Sequence, residues 1–214
     1  MKHLLSANRC YTNHELRTDA IVHILGIAFS VSASLWLLAH VTGLSIVVSV
    51  SVYCAGLLSM ILASAAYNLM RRGSTKEILR RIDRAAIFVM IAATYTPFAA
   101  NRLRPETGGA LLFVIWACAT VGVGCTLMFS RRFERFSLLF YLTMGWMVIV
   151  VIKPLSASVA PFDLALLFTG GIVYSTGVIF HLQDRIPHHK AIWHSFVLAA
   201  SALQFAAIAA EFAT

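Results

Sequence analysis

Residues 44–69 have the sequence LSIVVSVSVYCAGLLSMILASAAYNL and contain no charged side chain. A helix rises 1.5 Å per residue, so about 20 apolar residues cross the ~30 Å hydrocarbon layer of a bilayer. The stretch is therefore long enough to span a membrane. Backbone N–H and C=O groups meet no water inside lipid, so a spanning segment must satisfy them within a helix.

Seven apolar stretches of this kind follow one another along the chain. They cover roughly residues 20–41, 44–69, 84–101, 108–130, 137–155, 163–183 and 190–212. The composition agrees, because 59% of the 214 residues are hydrophobic and only 12% are charged, against about 45–50% and about 25% in soluble domains. We therefore predict an all-α, polytopic membrane protein, a single domain of seven transmembrane helices over residues 1–214. A soluble fold, a disordered chain and a transmembrane β-barrel are excluded.

Lys and Arg residues are distributed unequally between the two sides of the membrane that the seven predicted spans connect. Fourteen of the 17 lie in the N-terminal tail and the even-numbered loops, and two, Arg102 and Arg104, lie in an odd-numbered loop. Positive residues stay on the cytoplasmic side. The division predicts a cytoplasmic N-terminus, an external C-terminus and a multi-pass protein of the plasma (bacterial cytoplasmic) membrane. The net charge of +8 is then a topology signal, and nucleic acid is not an expected partner.

The loop between the second and third spans has a pattern of its own. Ser74 and Glu77 have the S-x-x-E spacing of a helix-capping box, and apolar and basic residues alternate after them at helical spacing. The pattern predicts a short amphipathic helix over about residues 75–83, lying on the inner headgroups and leading into the third span.

Polar and ionisable residues concentrate at one depth of the predicted bundle. A charge at the centre of a membrane helix costs at least ~2.5 kcal/mol, so such residues indicate function more often than residues in loops do. With the predicted topology they lie at the cytoplasmic ends of at least four spans, and they are His23, Ser64, Asn68, Asp83, His181, Lys190 and His194. Their convergence indicates a buried polar site. Each could also be purely structural, as a packed histidine, a back-bonded serine or a surface salt bridge, and spacing does not decide between the two.

Several longer segments resemble one known family. They are SAAYN (64–68), RIDRAAIFVMIAATYTPF (81–98), RRFERFSLLFYLTMGWMVIVVIKPL (131–155), GGIVYSTGVIF (170–180) and KAIWHSFVLAASA (190–202), together with Glu15 and His23. On these segments the chain resembles the hemolysin III family, the bacterial branch of the progestin and adipoQ receptors, within a superfamily of membrane hydrolases that includes alkaline ceramidases. The resemblance covers nearly the whole chain and implies seven helices with the N-terminus in the cytoplasm.

The resemblance also implies a zinc site. Family members are similar in having S-x-x-x-H on span two, an aspartate at the start of span three and H-x-x-x-H at the start of span seven. Their three histidines bind zinc, and the aspartate holds a zinc-bound water. Three protein ligands plus water leave the metal an open position, and the metal lowers the pKa of the water for attack on an amide.

This chain departs from that pattern at two ligand positions. Ser64, Asp83 and His194 match, but Asn68 and Lys190 stand where histidines are expected, and Asp19 replaces a usual asparagine. An amide oxygen is a poor zinc ligand, and an ammonium group has no lone pair.

We therefore expect a degenerate, metal-free site in which the ammonium group of Lys190 occupies the zinc position and bonds to Asp83, Asn68 and Ser64. The alternative is that zinc is retained and a further histidine moves in as a ligand, the candidates being His181, His188 and His189.

Three functions remain open. The favoured one is a lipid-binding or regulatory membrane protein that is not an active enzyme, because two ligand positions are lost. The second is a zinc-dependent amidase acting on a ceramide-like lipid, with Asp83 and Ser64 as catalytic residues. The third is ion-coupled transport, with Asp83, Lys190 and His23 as a relay. Membrane lipids are the expected partners, and a receptor function has the weakest support because the loops are short.

Overall fold

A computed structural model gives the structure of residues 11–70, 73, 75–183 and 185–213. The helices found within these residues are α1 (Asn13–Ala39), α2 (Leu44–Leu69), α3 (Lys76–Asn101), α4 (Pro105–Met128), α5 (Ser130–Gly145), a 3₁₀ helix (Trp146–Val151), α6 (Ile152–Ser156), α7 (Pro161–His181) and α8 (His189–Phe212). Ser74, the first residue of the predicted capping box, lies outside the described residues.

Seven spans are present in the described part of the chain, which confirms the predicted fold class. Six of them are α1, α2, α3, α4, α7 and α8, each long and apolar enough to cross a membrane. The remaining span, Phe136–Ser156, combines the end of α5, the 3₁₀ helix and α6. The described residues contain no β-strand. The predicted amphipathic stretch forms the first turns of α3, which continues without a break into the third span.

The break in the fifth span has an identifiable cause on a neighbouring helix. The single proton of the Tyr95 hydroxyl group is shared between the carbonyl groups of Met144, at 2.9 Å, and Gly145, at 2.7 Å, and the hydroxyl oxygen accepts from the backbone N–H of Val148 at 2.9 Å. A helix interrupted in lipid must find new partners for its backbone groups. The Tyr95 side chain supplies them, so the chain changes from α to 3₁₀ geometry at this depth.

The helices pack in a closed arrangement. Helix α1 contacts α2 and α8, α3 packs against α2, α4 and α5, and α7 contacts α5 and α8. Fully buried side chains such as Tyr53, Leu57 and Phe88 fill the interior. Small residues allow close helix approach, as at Gly177 of α7, where an added Cβ atom would lie 2.7 Å from the Cβ atom of Phe196 on α8.

The arrangement brings several helix ends together at one end of the bundle. Helices α1, α3 and α8 begin there, and α2 and α7 end there. This end is called the N-side below. All the polar residues singled out from the sequence belong to it.

Candidate functional site

The start of α1 is fixed by a capping box and by a contact to the loop before α8. The Thr12 hydroxyl accepts from the backbone N–H of Glu15 at 3.2 Å, and the Glu15 carboxylate accepts from the backbone N–H of Thr12 at 2.9 Å. The same carboxylate accepts from the backbone N–H of His188 at 3.1 Å. Asp19 and His23 lie one and two turns further along the same face of α1. They are thereby held towards α8.

Two buried side chains of α1 and one partly buried side chain of α8 meet at the centre of the N-side. Oδ1 of Asp19 lies 2.6 Å from Nδ1 of His194, and its Oδ2 lies 3.7 Å from Nε2 of His23. The two imidazole rings are 4.4 Å apart between centroids and are inclined by 52°. Exposed fractions are 4% for the His23 side chain, 7% for Asp19 and 11% for His194. We refer to Asp19, His23 and His194 as the central triad.

Ser64 of α2 and Asp83 of α3 border the triad. The partly buried carboxyl group of Asp83 interacts with the Ser64 hydroxyl and, electrostatically, with His194 and His23. The Asn68 amide donates to the backbone carbonyl of Ser64 at 3.0 Å and to its hydroxyl at 3.4 Å. The structure thus unites the sequence-predicted residues Ser64, Asp83, His23, Asp19 and His194 in one site, and the Asn68 amide is bonded to its own helix.

Lys190 occupies a different place from the one hypothesised. Its ammonium group lies over the ring of Tyr11, 4.4 Å from the centroid. Asp19 and Asp83 act on it electrostatically, but among the described residues it forms no ion pair within 4.0 Å and no hydrogen bond to Asp83, Asn68 or Ser64. An aromatic face attracts an ammonium group without removing all of its water. A position between buried carboxylates would require fuller desolvation of the ammonium group.

Two other candidate histidines lie outside the triad. Nε2 of His189, a buried residue, is 3.4 Å from the Tyr11 hydroxyl, and the two rings are 5.7 Å apart. His181 is exposed and lies against the ring of Trp193, 4.9 Å between centroids. Tyr11, which contacts both Lys190 and His189, is a site residue that the sequence does not predict. No spacing signal distinguishes it from other aromatic residues near a helix start.

The family's zinc position can be tested on the residues that stand there. Of the three ligand positions, His194 offers an imidazole, Asn68 has its amide bonded to Ser64, and Lys190 offers an ammonium group without a lone pair. Zinc binds thiolate, imidazole and carboxylate groups. This set of side chains does not fit a zinc ion at that position.

The fold and the site define a seven-helix membrane protein with a buried polar site at one end of its bundle. The family model described as "Haemolysin-III related" matches residues 11–205. The chain is 39% identical to "Hemolysin-3 homolog" of Bacillus subtilis (strain 168) over 198 residues, 91% of this chain and 93% of that protein. It is 38% identical to "Hemolysin-3" of Bacillus cereus over 190 residues, 87% of each.

A more distant relative is the human "Monocyte to macrophage differentiation factor", 28% identical over 163 residues, 73% of this chain and 67% of that protein. The chain therefore belongs to the haemolysin III family, which confirms the resemblance seen in the sequence. It is a multi-pass integral membrane protein, and in bacteria such a protein resides in the plasma membrane.

Proposed function

We propose that this chain is a lipid-binding membrane protein that holds an acyl chain inside its bundle. The observation that carries the proposal is a cavity between α3, α4, the 3₁₀ helix, α7 and α8. It has about 610 Å³ of empty space, a figure that includes its open mouth. Its wall is largely apolar, with residues such as Phe98, Leu111, Val151 and Phe168.

One polar group in the cavity is available to a ligand. Tyr95 and Thr94 line the cavity but bond to backbone carbonyl groups, and Trp146 donates to Ser175. In the described part of the chain, the amide of Gln204 has no hydrogen-bond partner. An amide is both donor and acceptor, so Gln204 suits a lipid with a carboxyl or amide group beside its acyl chain.

Photo-crosslinking tests the proposal. Purified protein in nanodiscs is labelled with a diazirine-bearing palmitic acid, and the labelled peptides are located by mass spectrometry. Gly171→Leu adds a side chain at the cavity wall, where a Cβ atom would lie 3.8 Å from the Trp146 ring. Gly109→Leu is the matched control, because Gly109 is exposed and has open space around it.

We expect labelling of cavity peptides in the unaltered protein, a severalfold loss with Gly171→Leu, and no change with Gly109→Leu. Equal labelling of Gly171→Leu and the unaltered protein, or labels confined to the outer surface, would contradict acyl-chain binding in the cavity.

A membrane hydrolase of lipid amides is the second candidate, favoured by the grouping of Asp83 with Ser64, His194 and His23. A carboxylate beside imidazole groups can orient or deprotonate a water molecule. Release of fatty acid from ceramide in nanodiscs tests it. Activity that is lost in Asp83→Asn would support this candidate, and no release by the unaltered protein would remove it.

A further inference from the structure

The central triad presents two imidazole groups and one carboxylate to a common point. One ligand atom from each of Asp19, His23 and His194 lies within 4.8 Å of the other two. We propose that these three residues bind a divalent transition-metal ion, for which zinc has the fitting chemistry. The proposed ligand set shares only His194 with the ligand positions of the family. It does not depend on the acyl-chain cavity.

The strongest indication is a buried ring nitrogen that forms no hydrogen bond among the described residues. Nε2 of His23 is buried and forms no hydrogen bond to any residue that the structure describes. The side chain is 4% exposed, and this nitrogen points to the triad, where the nearest carboxylate oxygen, of Asp19, is 3.7 Å away. A buried polar atom without a partner is unfavourable, and few such atoms occur in folded proteins. A metal ion would use the lone pair of this nitrogen.

The donor types select the class of ion. Two imidazole groups and one carboxylate are a ligand set typical of zinc in protein sites that keep a further position open. Imidazole nitrogen is a poor ligand for calcium and magnesium, which prefer oxygen.

The distances within the triad set how far the ligand atoms must move when a metal ion binds. Ligand atoms about 2.0 Å from a tetrahedral ion lie roughly 3.3 Å from one another. Oδ2 of Asp19 lies 3.7 Å from Nε2 of His23, whereas its Oδ1 lies 2.6 Å from Nδ1 of His194, the length of a hydrogen bond, and the ligand atoms of His23 and His194 are within 4.8 Å of each other. Binding therefore replaces the proton between Asp19 and His194 and separates these two groups by less than about 1 Å.

The charges around the triad favour a cation. Asp83 is a second carboxylate that interacts with both His194 and His23. Lys190 acts electrostatically on Asp19 and Asp83 but has its ammonium group over Tyr11, and Arg84 acts on Asp83. Among the described residues, the point between the triad side chains thus remains free of a side-chain cation.

Metal titration tests the proposal. The full chain is purified with a histidine-free affinity tag, stripped with a chelator, and titrated with Zn²⁺ against a chromophoric competitor and with Co²⁺ by visible absorption. We expect one equivalent to bind. His23→Ala and Asp19→Asn should weaken Zn²⁺ binding by at least about 10–100-fold, the loss typical even of groups that only hydrogen-bond to a metal ligand, and should remove the tetrahedral Co²⁺ spectrum.

Two control variants distinguish metal binding at the triad from metal binding at the family's ligand position and at a surface histidine. Asn68→Ala alters the family's ligand position and should leave the affinity unchanged. His181→Ala removes an exposed histidine on the N-side and should also have no effect. Asp19→Asn is nearly isosteric, so it keeps the packing if His23→Ala unfolds the protein.

Failure of the unaltered protein to bind Zn²⁺ overturns the proposal. So does a His23→Ala variant that binds as tightly as the unaltered chain, or an Asn68→Ala variant that loses affinity equally. None of these results affects the crosslinking of an acyl chain in the cavity, so the two proposals fail independently.

Discussion

Glu15 on α1 accepts a hydrogen bond from the backbone N–H of His188, the residue that precedes α8, with 3.1 Å between Oε1 and N. The other carboxylate oxygen accepts from the backbone N–H of Thr12 in the capping box. One side chain thus joins the first turn of α1 to the start of α8. These are the helices that carry Asp19 and His194, so the contact sets the distance on which the central triad depends.

Removal of this contact should destabilise the protein. We expect Glu15→Ala to lower the free energy of unfolding by about 1–3 kcal/mol, because a helix cap and a charge-assisted hydrogen bond are lost together. Unfolding in mixed micelles with increasing SDS measures the change. Glu106→Ala is the control, since Glu106 is an exposed acidic residue in the first turn of α4. An equal effect of the two variants would show that the Glu15 contact contributes nothing specific.

The backbone of His188 offers a second test of the same turn. His188 has a φ of 58°, in the left-handed region, where a Cβ atom costs roughly 1–2 kcal/mol and glycine has no such cost. We expect His188→Gly to be more stable than His188→Ala by about 1 kcal/mol in the same unfolding assay. Both variants lose the His188 ring, which contacts His14, so the comparison isolates the backbone. Equal stability of the two variants would argue against a left-handed residue here.

The fold follows from the sequence in its main features because each span must satisfy its backbone within itself. Spans such as α2, predicted at 44–69 and observed as Leu44–Leu69, have ends set by local hydropathy and turn residues. The 3₁₀ segment in the fifth span was not predicted. Its cause is the hydroxyl group of Tyr95 on α3. The local sequence of residues 146–151 does not indicate a hydrogen-bond partner that is about 50 residues away in the chain.

The location of the candidate site was predicted, but only some of the side-chain contacts within it were. Helical spacing places Asp19 with His23 and Lys190 with His194, but the contact between Asp19 and His194 depends on how α1 packs against α8. The direction of a long, flexible side chain depends on competing partners in three dimensions. For this reason the position of the Lys190 ammonium group over Tyr11 could not be predicted from the sequence.

Close packing of α7 against α8 gives a third prediction. A Cβ atom at Gly177 would lie 2.7 Å from that of Phe196 and 3.2 Å from the Trp193 ring. We expect Gly177→Ala to destabilise the protein by about 1–3 kcal/mol, the usual cost of overpacking. Gly124→Ala is the matched control, because a methyl group there meets nothing within 4 Å. Unfolding in SDS compares the two, and equal stabilities would mean that α7 and α8 can separate at no cost.

The orientation of the bundle in the membrane gives the last prediction. Fourteen Lys and Arg residues belong to the N-side tail and loops, and two belong to the opposite loops. Because positive residues resist translocation, we expect the N-side, with the central triad, to face the cytoplasm. Alkaline phosphatase fused after Ala213 should then be active outside the cytoplasm, and green fluorescent protein at the same position should be dark. Fusions after Gln183, between α7 and α8, are the matched control and should show the opposite pattern. If both reporter patterns were reversed, the triad would lie at the external face, and its ligands would come from outside the cell.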